Sequence, residues 1–102
     1  MARLSIVNPI AIAQADTSDA PRIAPAARPK TLDGKRIALY WNGKPLGDIA
    51  LERTKEGLAR SFRDVTFIDV FGEKGGINRY LSPEQLDMLE RDADVVIGTS
   101  GD

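Results

Sequence analysis

Ile37-Ala38-Leu39-Tyr40-Trp41 runs five residues without a polar interruption, entered from Lys35-Arg36 and left through Asn42-Gly43. A strand with one wet face alternates apolar and polar residues, so a run that does not alternate suits a strand covered on both faces. Such a strand belongs in the middle of a parallel sheet. It obliges the remaining chain to provide a neighbouring strand on each side and a helix for each face.

The candidates for those neighbours follow in order. Val65-Thr66-Phe67-Ile68-Asp69-Val70-Phe71 is β-rich with one interruption, and Asp94-Val95-Val96-Ile97-Gly98 is a short β-branched run opening into small residues. Between the first two strands, Leu46, Ala50, Leu51, Thr54, Gly57, Leu58, Ser61 and Phe62 share one face at helical spacing, while Asp48, Glu52, Arg53, Lys55, Glu56 and Arg60 take the other. Pro45 suits the start of this helix, and Ala50 and Gly57 on its inner side would let it sit close to the sheet. Ser82-Pro83-Glu84-Gln85 reads as a second helix start, with Ser82 as N-cap, Pro83 at the first helical position and Gln85 completing a capping box. Leu86, Leu89 and Ala93 are its expected inner face.

The fold expected is therefore α/β: an incomplete Rossmann-like or flavodoxin-like β-α-β-α-β unit with a parallel three-stranded sheet. Strands are expected at about 35–41, 65–71 and 94–98 and helices at about 46–62 and 83–92. Residues 31–102 form this unit, and the Pro- and Ala-rich residues 1–30 read as a flexible, disordered arm whose Leu4-Ser5-Ile6-Val7 segment can pack on the domain. An unbroken first strand needs two neighbours, so the sheet order is expected to be 2-1-3, with a switch point between strands 1 and 3. The loops facing that crevice are Asn42 to Gly47 and Gly98 to Asp102. Asn42, Lys44, Thr99, Ser100 and Asp102 are the groups expected to line it, together with Asp69 near the carboxyl end of its strand. Each also has a plainer role, as turn former, solvated charge or helix cap. Gly72 to Tyr80 is a glycine-rich loop that matches neither phosphate-binding glycine pattern.

Composition narrows the chemistry. The 102 residues carry 14 basic and 15 acidic side chains, a net charge of −1, so no basic field exists for nucleic acid or an anionic membrane. Cysteine and histidine are both absent, which removes disulfides, thiolate nucleophiles, imidazole bases and the usual zinc sites from the sequence as it stands. Ser100 as a nucleophile would have only Lys44 as a base. No catalytic residue, metal or cofactor is expected within these residues. The location expected is cytoplasmic.

Thr31-Leu32-Asp33-Gly34-Lys35-Arg36-Ile37, Asn42-Gly43-Lys44-Pro45 with Asp48, and Asp94-Val95-Val96-Ile97-Gly98 with Gly101-Asp102 resemble the first half of the UGSC family. Val7-Asn8-Pro9 and the Pro-rich arm are similar to that family as well. It is a group of bacterial proteins named for a Sec-Gly-Ser-Cys or Cys-Gly-Ser-Cys motif. The resemblance implies that the motif follows directly after Gly101-Asp102. It further implies a thiol or selenol enzyme of redox or nucleophilic type, with a small-molecule substrate and a thiol reductant. Selenocysteine is encoded by UGA, which is ordinarily read as a stop, so the expectation is a leader half cut at an in-frame UGA. There a chalcogenolate would sit at a helix start that favours an anion, with the motif's cysteine in reach to resolve it. Two alternatives stand beside this: a small α/β module that binds an anion or nucleotide at the Asn42 to Gly47 turn, against which its open sheet edge argues, or a subunit completed by a partner chain that supplies the remaining strands; a homo-oligomer is a further partner expectation.

Overall fold

The computed structural model describes residues 23–100, and the expectations for the Leu4 to Val7 segment and for Asp102 lie outside those residues. Within them the order is β1 (Arg36–Trp41), α1 (Gly47–Ser61), β2 (Thr66–Phe71), α2 (Pro83–Asp92) and β3 (Val95–Thr99). The strands form one parallel sheet in the order β2-β1-β3, with Leu39 opposite Asp69 on one side and Ile97 on the other. The chain is thus an α/β unit whose apolar first strand is the central one. Residues 23–29 carry no helix or strand and are almost all exposed.

Alternation along the strands divides the core in two. Ile37 and Leu39 point to one face, where Leu51 of α1 joins them and Trp41, Leu58, Phe67, Val95 and Ile97 pack around. Ala38 points to the other, against Val70 and against Leu89 of α2, with Ile68, Leu81 and Met88 beside them. Each helix therefore covers one face of β1, which is why that strand needs no polar residue. No helix among the described residues is long and apolar enough to cross a membrane.

Both helices depart in detail from their expected faces. The chain turns at Pro45 and enters α1 through Leu46, which takes a left-handed φ of 74° as N-cap and is 68% exposed. The close approach to the sheet comes from Gly47, where an added Cβ would lie 3.0 Å from Thr99 Oγ1 and Trp41 Cδ1. Ala50 is exposed, and a Cβ at Gly57 would meet nothing. The helix is thus closest to the sheet at its N-terminal turn, where Gly47 meets β3, and Leu51 and Leu58 carry its contact with the core further along. In α2 the capping box forms as read, with Ser82 Oγ accepting from Gln85 N at 3.1 Å and Gln85 Oε1 accepting from Ser82 N at 3.0 Å. Leu86, however, is 53% exposed, and Met88 packs inward in its place.

The start of the sheet is closed by a charged clasp. Asp94, just ahead of β3, accepts from the Arg36 backbone N–H at 2.8 Å, and its two oxygens take Arg36 Nη2 at 3.1 Å and Nε at 3.2 Å. The Asp94 N–H donates in turn to the Arg36 carbonyl. That pairing sets the register of β3 against β1 from its first residue.

Candidate functional site

In an open α/β sheet the carboxyl ends of the strands carry the ligand-binding loops, and here three such loops meet at Asn42. Asn42 is the first residue after β1, and each of its polar groups reaches a different segment. Its Oδ1 accepts from Lys44 N at 3.2 Å, making a local turn; its Nδ2 lies 3.4 Å from Ser100 Oγ beyond β3; and its carbonyl accepts from Arg79 N at 2.7 Å. An asparagine can do this because it offers a donor and an acceptor on one short side chain. Gly43, at φ 93°, completes the turn where a Cβ would come within 3.2 Å of Arg79 Cγ and Phe71 Cε2.

The hollow beside Asn42 has a volume of about 370 Å³ and is lined by Tyr40, Asn42, Lys44, Asn78, Tyr80, Gly98, Thr99 and Ser100. The structure brings Asn42, Lys44, Thr99 and Ser100 together there, and their roles differ. Thr99 Oγ1 donates to the Gly47 carbonyl at 3.0 Å, which ties β3 to α1 and occupies that hydroxyl. The Ser100 hydroxyl is exposed and accepts from Asn42, leaving its own proton free to donate. Lys44 is the one cation in the lining, which contains no carboxylate among the described residues.

Asp69 lies elsewhere. It is on β2, beyond β1 from the crevice, and alternation turns its side chain to the α1 face, where Lys55 Nζ approaches to 3.8 Å. There it borders a smaller hollow of about 240 Å³ with Asp48, Glu52, Trp41 and Phe71. The two hollows flank the end of β1 with opposite character, one cationic and one acidic. No three histidine, cysteine, aspartate or glutamate side chains gather as a metal set among the described residues.

The far wall of the crevice comes from the glycine-rich connection, whose sequence shows no binding pattern. Residues 72–80 fold back as a small hairpin, with Lys74 and Tyr80 paired antiparallel through hydrogen bonds of 3.0 and 2.6 Å. Tyr40 donates its hydroxyl to the Arg79 carbonyl, and the Arg79 guanidinium stacks 5.0 Å from the Phe71 ring centre. Gln85 holds the neck: its Oε1 accepts from Glu73 N at 3.1 Å and its Nε2 donates to the Phe71 carbonyl at 2.7 Å. This docking puts Asn78 and Tyr80 in the lining. Asn78 Oδ1 is buried and has no hydrogen-bond partner among the described residues. A buried amide oxygen left without a partner costs about 1–3 kcal/mol. The signal available in the sequence was length, because strand-to-helix connections in such folds usually take about 2–6 residues and longer ones tend to bind ligands.

Lys44, the one cation of the lining among the described residues, and the exposed Ser100 hydroxyl border the hollow and are groups suited to a small anion. No curated protein and no solved structure matches the chain. The family model described as the UGSC family matches residues 5–102, nearly the whole sequence, and the chain belongs to that family.

Proposed function

We propose that this chain builds the substrate crevice of a thiol- or selenol-dependent enzyme of the UGSC family, whose reactive residue follows Asp102. The observation that carries the proposal is the meeting of Ser100 with Asn42 and Lys44, in a chain that belongs to this family. A segment continuing from Ser100 starts at the mouth of the crevice. A chalcogenolate in it would attack one atom of a sulfur–sulfur or oxygen–oxygen bond of an oxidised substrate held beside Lys44, expelling the other atom as a thiolate or hydroxide, and the ammonium would favour the anionic nucleophile. The cysteine of the motif would then displace the bound product and close a selenide-sulfide or disulfide bond. A thiol reductant would reopen it with two electrons and two protons. Chemistry of this kind needs a reducing compartment, for which the cytoplasm is the proposed location.

The test is to read the gene past codon 102. An in-frame UGA or cysteine codon followed by Gly-Ser-Cys is expected; UAA, UAG or a frame without Gly-Ser-Cys overturns the proposal. A second reading, a small anion-binding module, is favoured by one observation: Lys44 is the one cation, with no carboxylate, in the lining among the described residues.

A further inference from the structure

We propose that the hollow along β3 is the dock for this chain's own Leu4-Ser5-Ile6-Val7 segment, which covers the free edge of the sheet. The hollow has a volume of about 690 Å³ and lies between Ala26 to Pro29 on one side and Ala93 to Ile97 on the other, with Leu32 also in its lining.

Among the described residues β2 and β3 are the two outer strands, and they differ. β2 carries Asp69 within its run, and a charge there discourages pairing with a further strand. β3 reads Val95-Val96-Ile97-Gly98-Thr99, with neither charge nor proline. It is the outer strand without protection of its own. Val96 is 49% exposed, and Val95 and Ile97 beside it are only partly buried.

The occupant follows from where the chain leads. Residues 1–22 lie upstream of Ile23, and the chain borders the hollow from Ala26 onward. Residues 8–22 link Val7 to Ile23, a tether of up to about 50 Å when extended, so the segment reaches any part of the hollow. Leu4-Ser5-Ile6-Val7 is uncharged and brings three aliphatic side chains to a largely aliphatic lining. Asn8-Pro9 follows at once and marks the end of the run. The family match begins at residue 5, so Ser5 to Val7 belong to the sequence the family shares rather than to an appended tail. A second copy of the chain fits less well, because Ala26 to Pro29 already stand beside β3 and would have to leave before another sheet could approach. Covered by the segment, β3 no longer offers its edge to other molecules.

The chain has no cysteine, so introduced pairs report without background. Ile6→Cys is combined with Val96→Cys. One control joins Ile12→Cys to Val96→Cys, and another joins Ile6→Cys to Ile77→Cys, at a position 88% exposed on the 72–80 hairpin. Under mild oxidation of the dilute 102-residue chain, the first pair should close within one molecule at least tenfold faster than either control, as non-reducing electrophoresis measures. Should Val96→Cys fail to fold by circular dichroism, Ala27→Cys on the facing wall takes its place. In the otherwise unaltered chain, Ile6→Asp should shift the Val96 methyl signals in NMR and increase self-association in size-exclusion chromatography.

Equal closure rates, faster closure from position 12, a disulfide between molecules in place of one within a molecule, or Val96 signals indifferent to Ile6→Asp each overturns the proposal. The intermolecular bond would assign the edge to a second copy. The crosslink uses no residue after Asp102, so its outcome is separate from that of the codon reading.

Discussion

Asp94 and Arg36 show how a single side chain can set a register. The carboxylate receives two guanidinium N–H bonds and one backbone N–H, so the charged form is favoured first by the Arg36 side chain and next by its backbone. Those bonds lower its pKa to about 2 from an ordinary value of 3.8. Because the folded value is depressed, its stabilising effect is fully present above about pH 4 and is lost as pH falls toward 2. Asp94→Asn is expected to lower the melting temperature at pH 7 and to flatten its dependence on pH between about 4 and 2. Thermal melts at a series of pH values check this, and an acid limb that keeps its slope in the variant would assign the effect to other carboxylates. The pair is partly exposed, so salt should weaken it.

At the scale of the elements, the hairpin 72–80 depends on places where a side chain cannot go. A Cβ at Gly72 would stand 2.6 Å from the Arg79 carbonyl oxygen and 2.8 Å from that of Tyr80, both main-chain atoms that cannot step aside. At Gly76 the same carbon would meet nothing. Gly72→Ala is therefore expected to undock the hairpin and cost about 1–3 kcal/mol, with Gly76→Ala close to neutral. Urea titration gives the energies, and the Trp41 fluorescence, beside stacked Phe71 at 5.1 Å, reports whether the strand ends have moved.

This is also where the sequence becomes hard to read. The strands and the second helix were legible because burial on two faces and a capping box both leave side-chain patterns, in Ile37 to Trp41 and in Ser82 to Gln85. The order β2-β1-β3 followed from the first of these. Asn42, Lys44, Thr99 and Ser100 were legible as loop residues at a switch point. Asn78 and Tyr80 were not, because the hairpin that carries them is docked by main-chain bonds to Asn42 and by Tyr40 and Gln85, residues distant from it in sequence that meet it only in the fold. Asp69 stands near the end of its strand as read, and the order 2-1-3 already set that strand beyond β1, whereas its side chain's approach to Lys55 emerges only from the assembled sheet. The packing of α1 likewise hid at Gly47, a turn residue in the sequence and a contact residue in the fold.

For the whole molecule, the division of the core by the sheet makes the two faces unequal. The α1 face joins Ile37, Leu39 and Leu51 to side chains from all three strands, whereas the α2 face has alanine at its centre and Val96 of β3 left 49% exposed. Removing a buried leucine costs about 2–5 kcal/mol, most where the surroundings cannot close on the cavity. Leu39, 2% exposed on the central strand, has neighbours fixed by two strand ladders. Leu89, on a ten-residue helix beside half-buried Met88 and Leu81, has neighbours free to shift. Leu39→Ala is expected to cost about 3–5 kcal/mol and Leu89→Ala about 2–3 kcal/mol. A domain of this size holds roughly 4–12 kcal/mol in all, at about 0.05–0.15 kcal/mol per residue. Leu39→Ala should thus bring the chain close to unfolding at 37 °C while Leu89→Ala leaves it folded, as urea-dependent circular dichroism would measure. The reverse order of costs would mean that the α2 face, on which Tyr40 and Gly98 of the crevice lie by alternation from Ala38 and Val96, is the principal core.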